Sequence, residues 1–431
     1  MKTLYPKQEL AKDFYLNCQR QKINTLDSSS VGTGKTVVAV HLAKELGAPV
    51  AVLCPKAVIP AWQREFAEHG VVPTFITNFE KVRNGTTHWM TKVGKKIMRW
   101  NLNPDSLILV DEIHKCKGPY TQNAQLVISL VQQGFRVHGM SATAAEDPTE
   151  MRALGFLLGL HSLNKPEKGL SSWYSWMMQH GCYQDDWGGW KLSNRSKLAL
   201  IRQAIYGVNA NKLTPADFPD SFRNNRVFVE PTEFKDLKKI DKAYEQLGLT
   251  PAIIDEYILN GTVANSEHVL VNILKARQLA ESFKVPDIVE MAEDFINGGN
   301  SVVIFVNFTD TVNSLCGLLN CPKIDGNQNA AQRQQAIDDF QNDVAHCVVV
   351  NIAAGGTGLS LHDIRGERPR ISLICPTFNA KDYLQVLGRI HRNGAKSDAV
   401  QKVLVAAGTI EEHVMKAIKT KTENLVAIHG T

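Results

Sequence analysis

At 431 residues, with 44% hydrophobic side chains and 17 prolines, the chain is long enough for two or three globular domains, and a disordered or fibrous polymer is excluded. A net charge of +5 is small for this length: it is compatible with a polyanionic partner and demands none. The eight cysteines form no CxxC pair and read as reduced thiols; the start, MKTLYPKQEL, lacks an apolar core of signal-peptide length and no window reaches a membrane span, so a cytoplasmic, intracellular protein is expected.

The first run that carries chemistry is TLDSSSVGTGKTVVAV, Thr25 to Val40. Gly32, Thr33, Gly34, Lys35 and Thr36 form the tail of a P-loop. Glycines let backbone N–H groups close on the phosphates of ATP, Lys35 bridges the terminal phosphates, and Thr36 offers a hydroxyl to Mg2+. The strict pattern has glycine at position 29, where Ser29 stands, so the match calls for a magnesium carboxylate downstream. Thr36 to Leu46 reads as a buried helix whose N-terminus faces the anion. Apolar runs at Pro49 to Cys54, Ser106 to Val110 and Phe135 to Gly139 predict parallel strands joined by crossover helices. Asp111 and Glu112 stand where SLILV ends. The carboxyl ends of strands line the ligand crevice of open α/β sheets, which makes Asp111 a candidate metal ligand and Glu112 the group that orients or deprotonates the attacking water. Ser141 and Thr143, just past the next run, offer hydroxyls suited to sensing the γ-phosphate. His114 is placed to couple the two motifs.

From Thr149 to Lys212 the spacing is helical, and Trp173, Trp176, Trp187 and Trp190 suit either a subdomain core or, beside Lys191, Arg195 and Lys197, stacking on unpaired bases. Thr232 to Gly248 and Ser266 to Asn297 read as charged amphipathic helices, with Thr262 to Asn265 either a joint or a surface turn. A second set of runs (Arg226 to Val229, Ser301 to Phe308, His346 to Asn351, Ile371 to Cys375 and Lys402 to Ala406) predicts a second α/β lobe. Gly355-Gly356-Thr357-Gly358 follows one of these strands, and QVLGRIHRNG supplies Gln385, Arg389 and Arg392. Gly358 and Gln385 are further candidates for nucleotide contact. Arg389 and Arg392, three apart on a helix, share a face; spacing alone leaves open whether they act on developing phosphate charge or form a solvated basic surface.

In this order the motifs resemble those of the superfamily-two helicase-like ATPases, specifically the Swi/Snf-type DNA translocases, over nearly the whole chain. Tyr5-Pro6-Lys7-Gln8 is similar to the adenine-reading glutamine motif, and VLCPKAVIPAWQREF to the family's Cys-Pro strand end with Trp62 and Glu65. ITNFEKVR is similar to its next nucleic-acid-facing segment, and DEIHKCKGPYT to its DExH followed by a lysine, here Lys117. GGWKLSNRSKL resembles the segment between the lobes, closest to the annealing-helicase branch, and GTIEEHVMKAIKTK the C-terminal brace. The resemblance implies an α/β fold of two RecA-like P-loop lobes with parallel sheets, plus a helical insertion between the lobes. Residues 1–149 would form the ATP-binding lobe, 150–222 the Trp-rich insertion, and 223–431 the second lobe, with a helical lead-in at 232–297 and the brace at 408–424. It further implies that Gln8 reads adenine, that Arg389 and Arg392 touch the nucleotide, and that Lys56, Thr77, Asn78, Asn307, Thr309 and Thr357 touch the DNA backbone. Ser29-Ser30 for Asp-Glu, Ala144 for proline, Ser360 for asparagine and Asn393-Gly394-Ala395 depart from the family pattern.

The expected function is therefore a magnesium-dependent, DNA-stimulated ATPase, a monomeric motor on duplex or forked DNA with no membrane partner. A strand-separating DNA or RNA helicase is the alternative within the superfamily. A nucleic-acid clamp with a degenerate ATP site, motivated by Ser29-Ser30, is the alternative outside it.

Overall fold

Apolar runs too short for helices assemble into two six-stranded sheets, each parallel throughout, one in each of two compact units. The structure is a computed structural model that describes residues 3–85, 87–93, 97–260, 266–355 and 359–430. The first unit holds the chain up to Asp217 together with the residues from Glu423 onward; the second is Phe218–Thr422.

In the first unit, β1 (Thr25–Asp27), β2 (Val50–Cys54), β3 (Phe75–Asn78), β4 (Leu107–Asp111), β5 (Arg136–Met140) and β6 (Ala210–Asn211) lie in the order β6-β1-β5-β4-β2-β3. Each of VAVLC and LILV is buried along its length, as expected of strands covered on both faces. Asp27 and Asp111 both register with Met140 of β5. The segments that follow β1, β4 and β5 therefore emerge side by side at one edge of the sheet. The stretch after residue 149 contributes the helices Arg152–Leu157, Trp173–Gln179 and Leu198–Ile205, an antiparallel hairpin (Cys182–Gln184 with Trp190–Leu192) and the edge strand β6. Trp173 and Trp176 join the core of this unit, whereas Trp187 is 96% exposed.

The second unit orders β7 (Asn225–Phe228), β8 (Ser301–Val306), β9 (Lys323–Ile324), β10 (Cys347–Asn351), β11 (Arg370–Ile374) and β12 (Ala399–Val403) as β7-β12-β11-β8-β10-β9, with β8, β10 and β11 wholly buried. The stretch read as one helix from Ser266 to Asn297 is two, Ser266–Phe283 and Val285–Asn297. Pro286 explains the break: it sits in the first turn of the second helix, where no intrahelical N–H is required, and it could not continue the first. The last helix, Ile410–His429, starts in the second unit, and its final turns belong to the first. Among the described residues no helix is long and apolar enough to cross a membrane.

Candidate nucleotide site

The loop after β1 turns through Gly32 (φ 85) and Gly34 (φ 92), backbone conformations that favour glycine, and delivers Lys35 to the first position of the helix Lys35–Leu46. Thr33 is buried, while Lys35 and Thr36 are part-exposed at the helix N-terminus, where first-turn N–H groups and the helix dipole favour an anion. The Lys35 ammonium donates to the carbonyls of Ser29 (2.7 Å) and Ser30 (3.1 Å). Ser29 does not have the left-handed backbone that would demand glycine; its N–H donates to Asp27 Oδ1 at 2.9 Å and its hydroxyl accepts from the Leu213 N–H at 2.9 Å. This serine fits where the strict pattern has glycine. Gln8, in the first turn of Pro6–Arg20, is 4% exposed and lies against the loop. Its Oε1 accepts from Tyr5 N–H (2.9 Å), and its Nε2 donates to the Thr33 carbonyl (2.8 Å) and sits 2.5 Å from where a Cβ on Gly34 would be. Gln8 thus braces the glycine-containing loop.

At the neighbouring strand end, Asp111 accepts hydrogen bonds from the Trp62 indole N–H and from the Glu112 N–H, each at 2.9 Å. Burial and the adjacent Glu112 carboxylate push its pKa up from the usual carboxylate range, opposed by the Trp62 hydrogen bond and Lys35. Glu112 holds a left-handed backbone (φ 52), a strained position for a non-glycine residue. His114 Nδ1 lies 3.1 Å from Glu112 Oε2 and 2.9 Å from Ser141 Oγ, and Ser141 Oγ also accepts from the Thr143 N–H (3.1 Å). The Thr143 hydroxyl is buried with no hydrogen-bond partner among the described residues. The structure thus gathers Lys35, Thr36, Asp111, Glu112, His114, Ser141 and Thr143 at one sheet edge.

Among the described residues no cluster of three or more His, Cys, Asp or Glu side chains could cage a metal. Mg2+ needs no such cage, because it is held by one or two oxygens of the protein together with substrate phosphates and water. The Thr36 hydroxyl and the Asp111 carboxylate fit that donor set, and a divalent cation would relieve the like-charge pairing of Asp111 with Glu112.

The backbone-contact candidates of the first unit sit along the same edge. Lys56 is exposed just past β2; Thr77 (3% exposed) and Asn78 end β3, with Asn78 Nδ2 donating to Glu80 at 2.8 Å. In the second unit, Thr309 is exposed at the start of Thr309–Leu319, whereas the Asn307 side chain is occupied internally. Its Oδ1 accepts from Arg277 (3.1 Å), and its Nδ2 donates to Glu281 (2.7 Å) and to the Pro376 carbonyl (3.1 Å). Gln385 (5% exposed) and Arg389 (2%) are buried, and the Arg389 guanidinium donates to the Leu359 carbonyl at 3.2 Å. Arg392 is half-buried and donates to the Gly388 carbonyl (3.2 Å) and the Ser360 hydroxyl. Burial pushes its pKa down to about 10. Thr357 and Gly358 lie outside the described residues.

Several residues behind the loop carry no local signature. Ser28 Oγ lies 2.5 Å from the Tyr206 hydroxyl, which is 3.0 Å from His429 Nδ1; His429 Nε2 is 3.0 Å from the Ala145 carbonyl, two residues past Thr143. Lys212 donates to the Gly430 carbonyl at 2.5 Å, and burial, Arg202 and Lys35 push it down to about 8. Separations of 178 to 223 residues hide the Ser28–Tyr206–His429 contacts from sequence reading. Trp62 was legible only as a family match, and its hydrogen bond to Asp111 gives it a role.

Residues 285–394 match the family model described as helicase conserved C-terminal domain. A putative ATP-dependent RNA helicase, L364 of Acanthamoeba polyphaga mimivirus, is 30% identical, the alignment covering 94% of this chain and 79% of the viral protein. The CHD3-type chromatin-remodeling factor CHR7 of Arabidopsis thaliana is 22% identical over 97% of this chain and 37% of its own length. The DNA repair and recombination protein RAD54-like of Drosophila pseudoobscura pseudoobscura is 27% identical over 32% of this chain and 18% of its own. The chain therefore spans most of the viral relative and less than half of the other two.

Proposed function

Because this chain belongs to the superfamily-two helicase-like ATPases of the Swi/Snf type, we propose that it hydrolyses ATP with magnesium to drive movement along duplex or forked DNA. The observation that carries the ATPase reading is the convergence of the phosphate loop, Asp111-Glu112 and Ser141 on three adjacent strand ends. In this reading the loop N–H groups and Lys35 hold the β- and γ-phosphates, with Lys35 exchanging its loop carbonyls for phosphate oxygens. Thr36 and Asp111 would hold Mg2+, which would supply positive charge against the phosphates. Glu112 orients the attacking water and takes its proton, and His114 ties Glu112 to Ser141, so that a change at the γ-phosphate reaches the loop that ends at Ala145. The family pattern assigns Arg389 and Arg392 to the developing negative charge. The half-buried Arg392, bonded to a carbonyl and a hydroxyl, is suited to an anion.

Lys56, Thr77, Asn78 and Thr309 are proposed to touch the nucleic-acid backbone, and Asn307 to shape its loop from within. The name of the viral relative supports a second reading, an RNA-dependent helicase. Phosphate release measured with blunt duplex DNA, forked DNA, single strands and RNA separates the two. Duplex or forked DNA is expected to stimulate turnover at least tenfold over protein alone. Stimulation by RNA only would replace the translocase reading, and no release under any condition would favour a clamp.

A further inference from the structure

Trp187 is the most exposed large apolar side chain among the described residues, at 96%, although tryptophan is the residue with most to gain from burial. It is not on a loose loop. Asp185 wires the tip of the hairpin: its Oδ1 accepts from the N–H groups of Trp187 (3.1 Å) and Gly189 (2.6 Å), its N–H donates to the Gly189 carbonyl (2.8 Å), and its Oδ2 lies 3.3 Å from the Lys191 ammonium. The turn requires Gly188 (φ 79), and a Cβ at Gly189 would approach the Asp185 carboxylate to 3.0 Å. The base of the hairpin is as firmly mounted. Cys182 is buried in the core cluster, and Trp190 packs on Tyr174 (centroids 5.8 Å apart), which packs on the buried Trp173 (5.1 Å). Tyr183 and Lys191 are cross-strand partners, so they share the face opposite Trp190, and Tyr183 is 47% exposed there.

A rigid turn that holds an indole in water, beside a second exposed ring and a lysine, has the makeup of a stacking platform for nucleobases. Asp185 and Lys191 offset each other within the tip, and Arg195, exposed, and Lys197, part-exposed, follow in the next turn against the single carboxylate of Asp186. Positive charge with two flat rings fits a nucleic acid whose bases are accessible, and base pairs inside a duplex present no face to stack on. We infer that the Trp187 hairpin binds unpaired bases, with Trp187 stacking on one base and Tyr183 and Lys191 supporting the adjoining strand. This goes beyond motor activity on duplex DNA: it gives the first unit a contact specific to the single-stranded arm of a fork.

The test uses the full chain without nucleotide, so that it does not depend on hydrolysis. Fluorescence anisotropy compares a blunt duplex with the same duplex bearing a dT arm. Trp187→Ala is expected to weaken binding of the forked substrate about tenfold, as loss of one stacked base would, and to leave the blunt duplex unchanged. Trp187→Phe, which keeps a ring, should recover most of the loss. Addition of dT oligonucleotide should quench tryptophan emission in the wild type and less in Trp187→Phe. Equal affinities of wild type and Trp187→Ala for the forked substrate, or equal weakening on both substrates, overturns the inference. So does a change in molecular mass on removing Trp187, which would mark a self-association surface. A protein whose turnover duplex DNA stimulates, but whose forked-DNA affinity ignores Trp187, refutes this inference and leaves the motor standing.

Discussion

Glu112, between the end of β4 and the short turn Ile113–Cys116, is held in the left-handed region, a conformation that costs on the order of 1 kcal/mol or more. The strain aims its carboxylate at His114 and Ser141. Glu112→Gln keeps the shape and removes the base, so ATP affinity should stay within threefold while steady-state turnover falls at least a hundredfold. Turnover near wild type would refute the assignment. His138, in the strand that ends before Ser141, is fully buried; Thr25 Oγ1 lies 2.8 Å from its Nδ1, its Nε2 has no partner among the described residues, and burial pushes its pKa down from 6.5 to about 4. Between pH 6.5 and 4 the unfolded chain takes up a proton there and the folded chain does not, so acidification destabilises, by up to about 1.4 kcal/mol per pH unit from this group. Urea unfolding at pH 7, 6 and 5 should show a shallower acid loss in His138→Gln than in the wild type; identical slopes would contradict the burial argument. The loop and the acidic pair were legible because their chemistry sits within a few consecutive residues. The engagement of Asn307 by Glu281 and Arg277, 26 and 30 residues upstream, was not, because an asparagine that faces a ligand and one that faces inward look alike in sequence.

Among the elements, the longer strands declared themselves as apolar runs, whereas Phe75–Asn78, Ala210–Asn211 and Lys323–Ile324 are too short or too polar to display a period. Strand order was likewise invisible, since β1 reaches β5 across more than a hundred residues. The helix Ile410–His429 is fastened in the second unit by a buried ion pair: Lys284 Nζ lies 2.7 and 2.5 Å from the Glu411 carboxylate oxygens and 2.8 Å from the Leu404 carbonyl, with the side chains 1% and 4% exposed. Lys284→Met strands a buried carboxylate and should cost about 3–5 kcal/mol in chemical denaturation. Lys284→Met with Glu411→Gln removes both charges and keeps an acceptor for the Ala406 N–H, so it should recover much of that loss. A double variant no more stable than the single would show that packing, not charge, dominates.

For the whole molecule, two α/β lobes could be read from two sets of strands, but the membership of each lobe could not. The final turns of the last helix complete the first unit, where His429 meets Tyr206 and Ala145 and Gly430 meets Lys212. A fragment ending at Asp217 lacks those groups and should be less stable than the same unit in the full chain. Adding a peptide of residues 410–430 in trans should raise its melting temperature by several degrees, and no response to the peptide would count against this dependence.

Vectorial synthesis gives the same feature a temporal meaning. Most of the first unit is translated before the second, yet the residues that complete it, from Glu423 onward, follow the entire second unit. The earlier-made portion must therefore wait, incompletely packed and open to chaperones, until the residues of the second unit have been made.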